Sequence, residues 1–418
     1  MHRRDFLGKT AGLAGSVLLP AGLDAFYSLP AIPQGDEPEM NEVYWEQIRQ
    51  LYPRPEGYIN LENGYFSHQP LPVLEFHRQK ERDLNIRNSW VMRREQTGII
   101  ENSRKELAQF LGCDAEELAL TRNTTESLNT VIMGFPWKKG DEVVIGNQDY
   151  GSMVEAFKQA ANRYGIKVKE ASVPLHPDSD EQVVKAYSSL FTKKTRMVHI
   201  THLINLTGQV VPVAAIAAEA RKKGILVAVD SAHAVAHLQF TIGDLQADFV
   251  GASLHKWLCN ALGAGFLWMK KEQIEKIWPL MGDTGVAKNN IRRFEHQGTR
   301  PIHTIESIGE ALKFHLKIGS ELKEKRLRYL MQYWTSKVVD LPKVKLLTPH
   351  KNEKRCGAIA NVSVDGYSPD DLCKALYDRF KIFTVAINHP VVNGVRITPH
   401  LSSSLADLDA LVAALKQL

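Results

Sequence analysis

Val227-Ala-Val-Asp230-Ser-Ala-His233 and, after a short link, Phe249-Val-Gly-Ala-Ser253-Leu-His255-Lys256 decide how this chain is read. Each is a short run of small and apolar residues ending in polar ones, the pattern of a buried parallel strand that delivers side chains beyond its carboxyl end. A carboxylate at the end of one such strand and a lysine just past the next are what pyridoxal phosphate (PLP) requires. The carboxylate, Asp230, holds the pyridine nitrogen protonated so that the ring serves as an electron sink, and the amine of Lys256 forms a Schiff base with the aldehyde. Solvent is the ordinary surrounding of a lysine. Lys256 instead follows an apolar strand and precedes Trp257-Leu258, so it enters from a buried layer.

Working outward, strands are predicted over residues 142–146, 167–172, 196–201, 225–230, 248–252 and 265–269, with helices such as 152–164 and 213–223 between them. Short Val/Ile-rich runs alternating with helices give an α/β fold with a mainly parallel sheet covered on both faces. Beyond residue 300 the texture changes to one long amphipathic helix over 304–337, strands near 358–364 and 395–398, and helices starting near 369 and 405. This is a smaller α+β domain. The plan divides the chain into residues 1–30, a linker or arm over 31–60, a large domain over 61–300 and a small one over 301–418.

Composition agrees with a large globular enzyme, since 418 residues at 44% hydrophobic and 24% charged suffice for one sizeable core plus a smaller domain. The formal charge of +5 comes from dispersed clusters such as Lys193-Lys194 and Arg221-Lys222-Lys223. No aromatic-interleaved basic stripe and no helix-turn-helix precedes the large domain, which argues against nucleic-acid binding. The four cysteines lack C-x-x-C spacing and metal-ligand patterning, so they read as free thiols and no metal is expected.

Arg3-Arg4-Asp5-Phe6-Leu7, followed by the apolar, Gly/Ala-rich run over 10–22, reads as a twin-arginine export signal. The run is too short to span a membrane as a stable helix. A periplasmic or secreted enzyme follows, exported folded with its cofactor and without stable membrane insertion after processing.

The residues of the opening paragraph resemble those of the class V aminotransferase family of fold type I PLP enzymes, the group containing cysteine desulfurases, selenocysteine lyases, kynureninase and isopenicillin N epimerase. The resemblance runs from about residue 58 to the C-terminus with its motifs in order. It implies a seven-stranded-type sheet and a homodimer with shared active sites.

Further residues then acquire roles. Thr121-Arg-Asn-Thr124-Thr125-Glu126 opens a helix, with Asn123 and Glu126 at the spacing of a cap and its reciprocal partner, and alone would read as an ordinary capped helix. It resembles the family's Thr-Thr-Glu loop, which implies that the cofactor phosphate sits on this helix N-terminus, at Thr124 and Thr125. Ser253 and His255 flank Lys256 as in the family's Ser-x-His-Lys motif and imply further phosphate contacts. Tyr150 matches the position of a ring stacked on the cofactor, and Asn205 and His233 match positions that contact its 3′ oxygen. Glu295-His-Gln-Gly298-Thr299 resembles a loop that reaches the neighbouring subunit's phosphate through Thr299. Arg396 matches the arginine that pairs with the substrate α-carboxylate, a task suited to a planar guanidinium. Asn63 corresponds to a segment lining the substrate pocket.

Cysteine desulfurases carry a nucleophilic cysteine shortly before that arginine, and residues 379–396 contain none. Tyr150 and His233 point instead to the isopenicillin N epimerase-like branch. The implied activity lies at the Cα of an amino acid, with Lys256 as base; lyase or epimerase chemistry is favoured, and transamination is the alternative. A non-catalytic periplasmic amino-acid-binding protein of the same fold is the competing class.

Overall fold

A computed structural model describes residues 29–418. The twin-arginine segment and its apolar run lie outside the described residues. Among those described, no helix is long and apolar enough to cross a membrane.

The main sheet comprises β1 (Leu118–Thr121), β2 (Glu142–Gly146), β3 (Lys167–Ala171), β4 (Thr195–Thr201), β5 (Leu226–Asp230), β6 (Phe249–Ser253) and β7 (Gly265–Met269). Their order is β1-β7-β6-β5-β4-β2-β3. Strands β2 to β6 pair in parallel, while β7 runs antiparallel to both β6 and β1. Side chains alternate between two cores. Val143, Ile145, Met197, Ala228 and Leu267 pack on one face, whereas Val144, Val198, Val227, Val229 and Phe266 pack on the other. Burial on both faces is why these strands read as continuous apolar runs and not as alternating ones.

The smaller sheet contains β8 (Val344–Leu346), β9 (Ala360–Val364), β10 (Val385–Asn388) and β11 (Asn393–Ile397), all antiparallel, in the order β10-β11-β9-β8. Before the main sheet, Ile59–Asn60 lies parallel to Ile382–Phe383, and Glu62 bridges to Thr398. Leu61 is accordingly buried with Leu330, Trp334, Val362 and Ile397 in the core of the smaller sheet. This pairing carries the segment after Leu61 across to β11.

One expectation needs correction. The single helix read over 304–337 is two, Ile302–Ile318 and Ser320–Thr335, broken at Gly319 with φ 92°. That backbone angle lies outside the right-handed helical region and is accessible to glycine at little cost.

Candidate active site

The carboxyl ends of the main strands meet β11 at a cleft of about 390 Å³. β5 delivers Asp230, and the turn after it His233. β6 ends at Ser253 and leads into His255 and Lys256; the loops after β2 and β4 supply Tyr150 and Asn205. The helix α1 (Thr124–Gly134) presents Thr124 and Thr125, and β11 contributes Arg396. All ten of these side chains line the cleft, together with Gly64 and Tyr65.

The donor set suits PLP. Asp230 is buried and, among the described residues, its Oδ1 accepts only from the Ala232 N–H, at 2.9 Å, which leaves the carboxylate able to meet a pyridinium N–H. Burial raises its pKa, opposed by His199, the Ala232 N–H and Lys256; a cation against it would restore the charged form. At the head of α1, Asn123 Oδ1 accepts from Glu126 N at 2.9 Å, as the capping pattern predicted. The reciprocal bond differs: the Glu126 carboxylate accepts from Arg122 N at 2.6 Å, one residue upstream of the cap. Ser253 Oγ accepts from Thr124 N at 2.9 Å and lies 2.8 Å from Thr124 Oγ1, binding the end of β6 to the helix terminus where an anion would sit. His255 Nδ1 and Asn205 Oδ1 are buried at the cleft without a partner among the described residues, as befits groups that meet a polar ligand.

Lys256 Nζ lies 2.9 Å from His233 Nε2 and 5.8 Å from the centre of the Tyr150 ring. Desolvation lowers its pKa to about 8; Arg396 adds to this, while Asp230 and Glu62 oppose it. His233 is neutral, because burial and then the charges of Lys256 and Arg396 push its pKa well below the usual value. Its other nitrogen, Nδ1, accepts from the indole N–H of Trp257 at 3.2 Å. Indole only donates, so the imidazole proton sits on Nε2 and is given to Lys256. An amine that accepts this bond is the free base, the form that prevails above the pKa of about 8.

A second layer lies beneath Asp230. Asp149 Oδ2 sits 2.8 Å from His199 Nδ1 and accepts from Gly146 N at 2.8 Å, while its Oδ1 accepts from Thr201 Oγ1 at 2.7 Å. Burial disfavours the charged form of His199, but Asp149 and then Asp230 outweigh it and raise the pKa. Sequence reasoning missed this layer. Its signal was His199 and Thr201 at alternate positions of β4, on either side of apolar Ile200 and hence on one face.

Two anticipated residues are not brought to the cleft. Asn63 is fully buried, and its backbone N–H and side-chain amide bind Thr398 at 2.6 and 2.8 Å. It braces the turn whose next residues, Gly64 and Tyr65, form the wall. Thr299 is exposed; its neighbours Gln297, Gly298 and Arg300 line a separate depression. Nor does any cysteine line the cleft. Cys259 is buried 3.4 Å from His400 Nε2 with its thiol pushed up to about 11 by burial, and half-buried Cys373 contacts Thr384 Oγ1 at 3.3 Å.

The family model described as Aminotransferase class-V matches residues 67–395. The chain is 27% identical over 392 residues to an isopenicillin N epimerase of Streptomyces clavuligerus, covering 90% of this chain and 98% of that protein. It is 28% identical over 399 residues to a probable cysteine desulfurase of Pyrococcus abyssi, covering 89% and 97%. Its fold is similar to the apo structure of cysteine desulfurase from Thermococcus onnurineus NA1, with a TM-score of 0.79 and 24% identity over 89% of this chain and 97% of that one.

Proposed function

The chain belongs to the class V aminotransferase family of PLP enzymes, and from that premise we propose that it acts at the Cα of an amino acid, by lyase or epimerase chemistry, with Lys256 as the residue bonded to the cofactor's aldehyde carbon. The observation that carries this reading is the placement of Lys256, its amine 2.9 Å from His233, in one cleft with Asp230 and Arg396.

When bound, PLP supplies an electron sink for charge developing at Cα. Asp230 keeps the proton on the ring nitrogen. Thr124, Thr125, Ser253 and His255 would hold the phosphate, and Tyr150 would lie against the ring. Asn205 and the Nε2–H of His233 would donate toward the 3′ oxygen. Arg396 takes the substrate carboxylate as a bidentate partner. Lys256, as a free base, would remove the Cα proton. Cys259 is buried, Cys373 half-buried, and neither lines the cleft, which disfavours a persulfide-forming route that needs a thiolate facing the substrate.

Thr299, exposed and outside its own cleft, fits a residue that completes a neighbouring subunit's phosphate site, so the working form is a homodimer. The twin-arginine segment assigns it to the periplasm or the exterior.

The test is incubation of the PLP-loaded protein in heavy water with a panel of amino acids and thioether conjugates, read by mass spectrometry. Deuterium at Cα in recovered substrate, with a stereoisomer or an eliminated β-substituent as product, is the expected result. An α-keto acid formed with retention of nitrogen on the cofactor would turn the reaction to transamination. No exchange with any compound would favour a binding protein.

A further inference from the structure

The guanidinium proposed to receive the substrate is already engaged by a carboxylate of the chain itself. Arg396 Nη2 donates to Glu62 Oε1 at 2.5 Å and Nε donates to Oε2 at 3.3 Å, a two-pronged grip on the edge a ligand carboxylate would use. Nη1 donates to Asn205 O at 3.2 Å. Both side chains are buried, at 8% and 7% exposure. Glu62 Oε1 also accepts from Tyr65 N at 2.8 Å. The backbone around Glu62 is fixed by the pairing of Leu61 to Glu62 with Thr398, and the side chain extends from it to Arg396.

Resting on the reading of Arg396 as the carboxylate receptor, we propose that Glu62 is a specificity-determining residue: an internal competitor that a substrate carboxylate must displace, so that the site accepts α-amino acids and rejects simple carboxylates. A buried guanidinium stripped of its partner is strongly disfavoured. Exchanging one carboxylate for another avoids that state. The tethered Glu62 carboxylate competes at high effective concentration, so a ligand offering only a carboxylate loses. An amino acid brings a second anchor, its amino group at the Lys256 position, and outcompetes Glu62 by holding both ends. The apparent affinity is lowered by the fraction of Arg396 that Glu62 leaves free.

The test uses the PLP-loaded full chain and α-aminoisobutyrate, which has no Cα hydrogen and so binds without turnover, followed by visible absorbance. Isopropylamine, the same amine without the carboxylate, is the control, and acetate is tested as a competitor. In Glu62→Gln the Kd for α-aminoisobutyrate is expected to fall about tenfold, acetate to become an effective competitor, and isopropylamine to bind as before. Glu62→Asp, which keeps the charge but draws it back by one methylene, should show a smaller change in the same direction. Unchanged or weakened α-aminoisobutyrate binding in both variants, with Arg396→Ala also weakening it, would overturn the proposal and make Glu62 a support for Arg396. If Arg396→Ala leaves α-aminoisobutyrate binding unaltered, the failure belongs to the assignment of Arg396 itself, and the proposal falls with it.

Discussion

Trp257 donates its indole N–H to Nδ1 of His233 over 3.2 Å, and that bond decides which face of the imidazole Lys256 meets. Because His233 is held neutral, fixing an acceptor at Nδ1 fixes a donor at Nε2, 2.9 Å from the Lys256 amine.

Trp257→Phe removes the indole donor. Nδ1 of His233 is then buried without a partner, a cost of about 1–3 kcal/mol in unfolding free energy. The diagnostic readout is the tautomer: nitrogen NMR of His233 should show a single Nε2–H form in the native protein and a mixture in the variant. A single unchanged tautomer in the variant would remove Trp257 from the role.

The pKa of Lys256, lowered to about 8 chiefly by desolvation, sets a pH dependence. Below that value the amine is an unreactive ammonium; above it, the free base. In cofactor-free protein, the acylation rate of Lys256, followed by peptide mass spectrometry, should reach half its plateau near pH 8 and level off above. A rate still rising toward pH 10.5, the ordinary value for lysine, would contradict the environment described.

Gly64 leaves the space in which Arg396 lies. A Cβ there would sit 2.9 Å from the guanidinium carbon and 3.0 Å from Nη2. Gly64→Ala is therefore expected to displace the guanidinium, raising KM for an amino acid by about tenfold with a smaller change in kcat, the pattern of lost uniform binding. Steady-state kinetics on the substrate found by the exchange panel separates the two constants.

Glu295, within the loop that resembles the intersubunit motif, has a structural duty. Its carboxylate pairs with fully buried Arg104 and accepts from Leu120 N at 2.6 Å, and Arg300 approaches at 3.3 Å. Glu295→Ala leaves buried Arg104 only the Glu101 carboxylate at 3.2 Å and the Leu118 carbonyl as partners, which should lower stability by about 2–3 kcal/mol in denaturant unfolding. Loss below 1 kcal/mol would indicate that Glu101 alone compensates Arg104.

The strands ending at Asp230 and Ser253 were legible because burial on both faces leaves an apolar run with a polar terminus, and Gly265–Met269 was anticipated at both ends. β1 was not: Leu-Ala-Leu-Thr is four residues long, rich in helix formers, and becomes a strand only by pairing with β7. The break at Gly319 was hidden because the apolar pattern continues across it. In the site, residues next to Lys256 or Asp230 carried their own motif. Glu62 and Trp257 act through partners 334 and 24 positions away, contacts that no local pattern announces, while the layer of His199 and Asp149, 50 positions apart, left only the alternation of His199 and Thr201 as its trace.

The central claim is that Lys256 bonds the cofactor. Borohydride reduction of the PLP-loaded protein followed by peptide mapping tests it most directly. A pyridoxyl mass on the peptide containing Lys256, absent in Lys256→Ala together with turnover, is the predicted result. Label on another lysine, or no label in a protein that still turns over substrate, would contradict it.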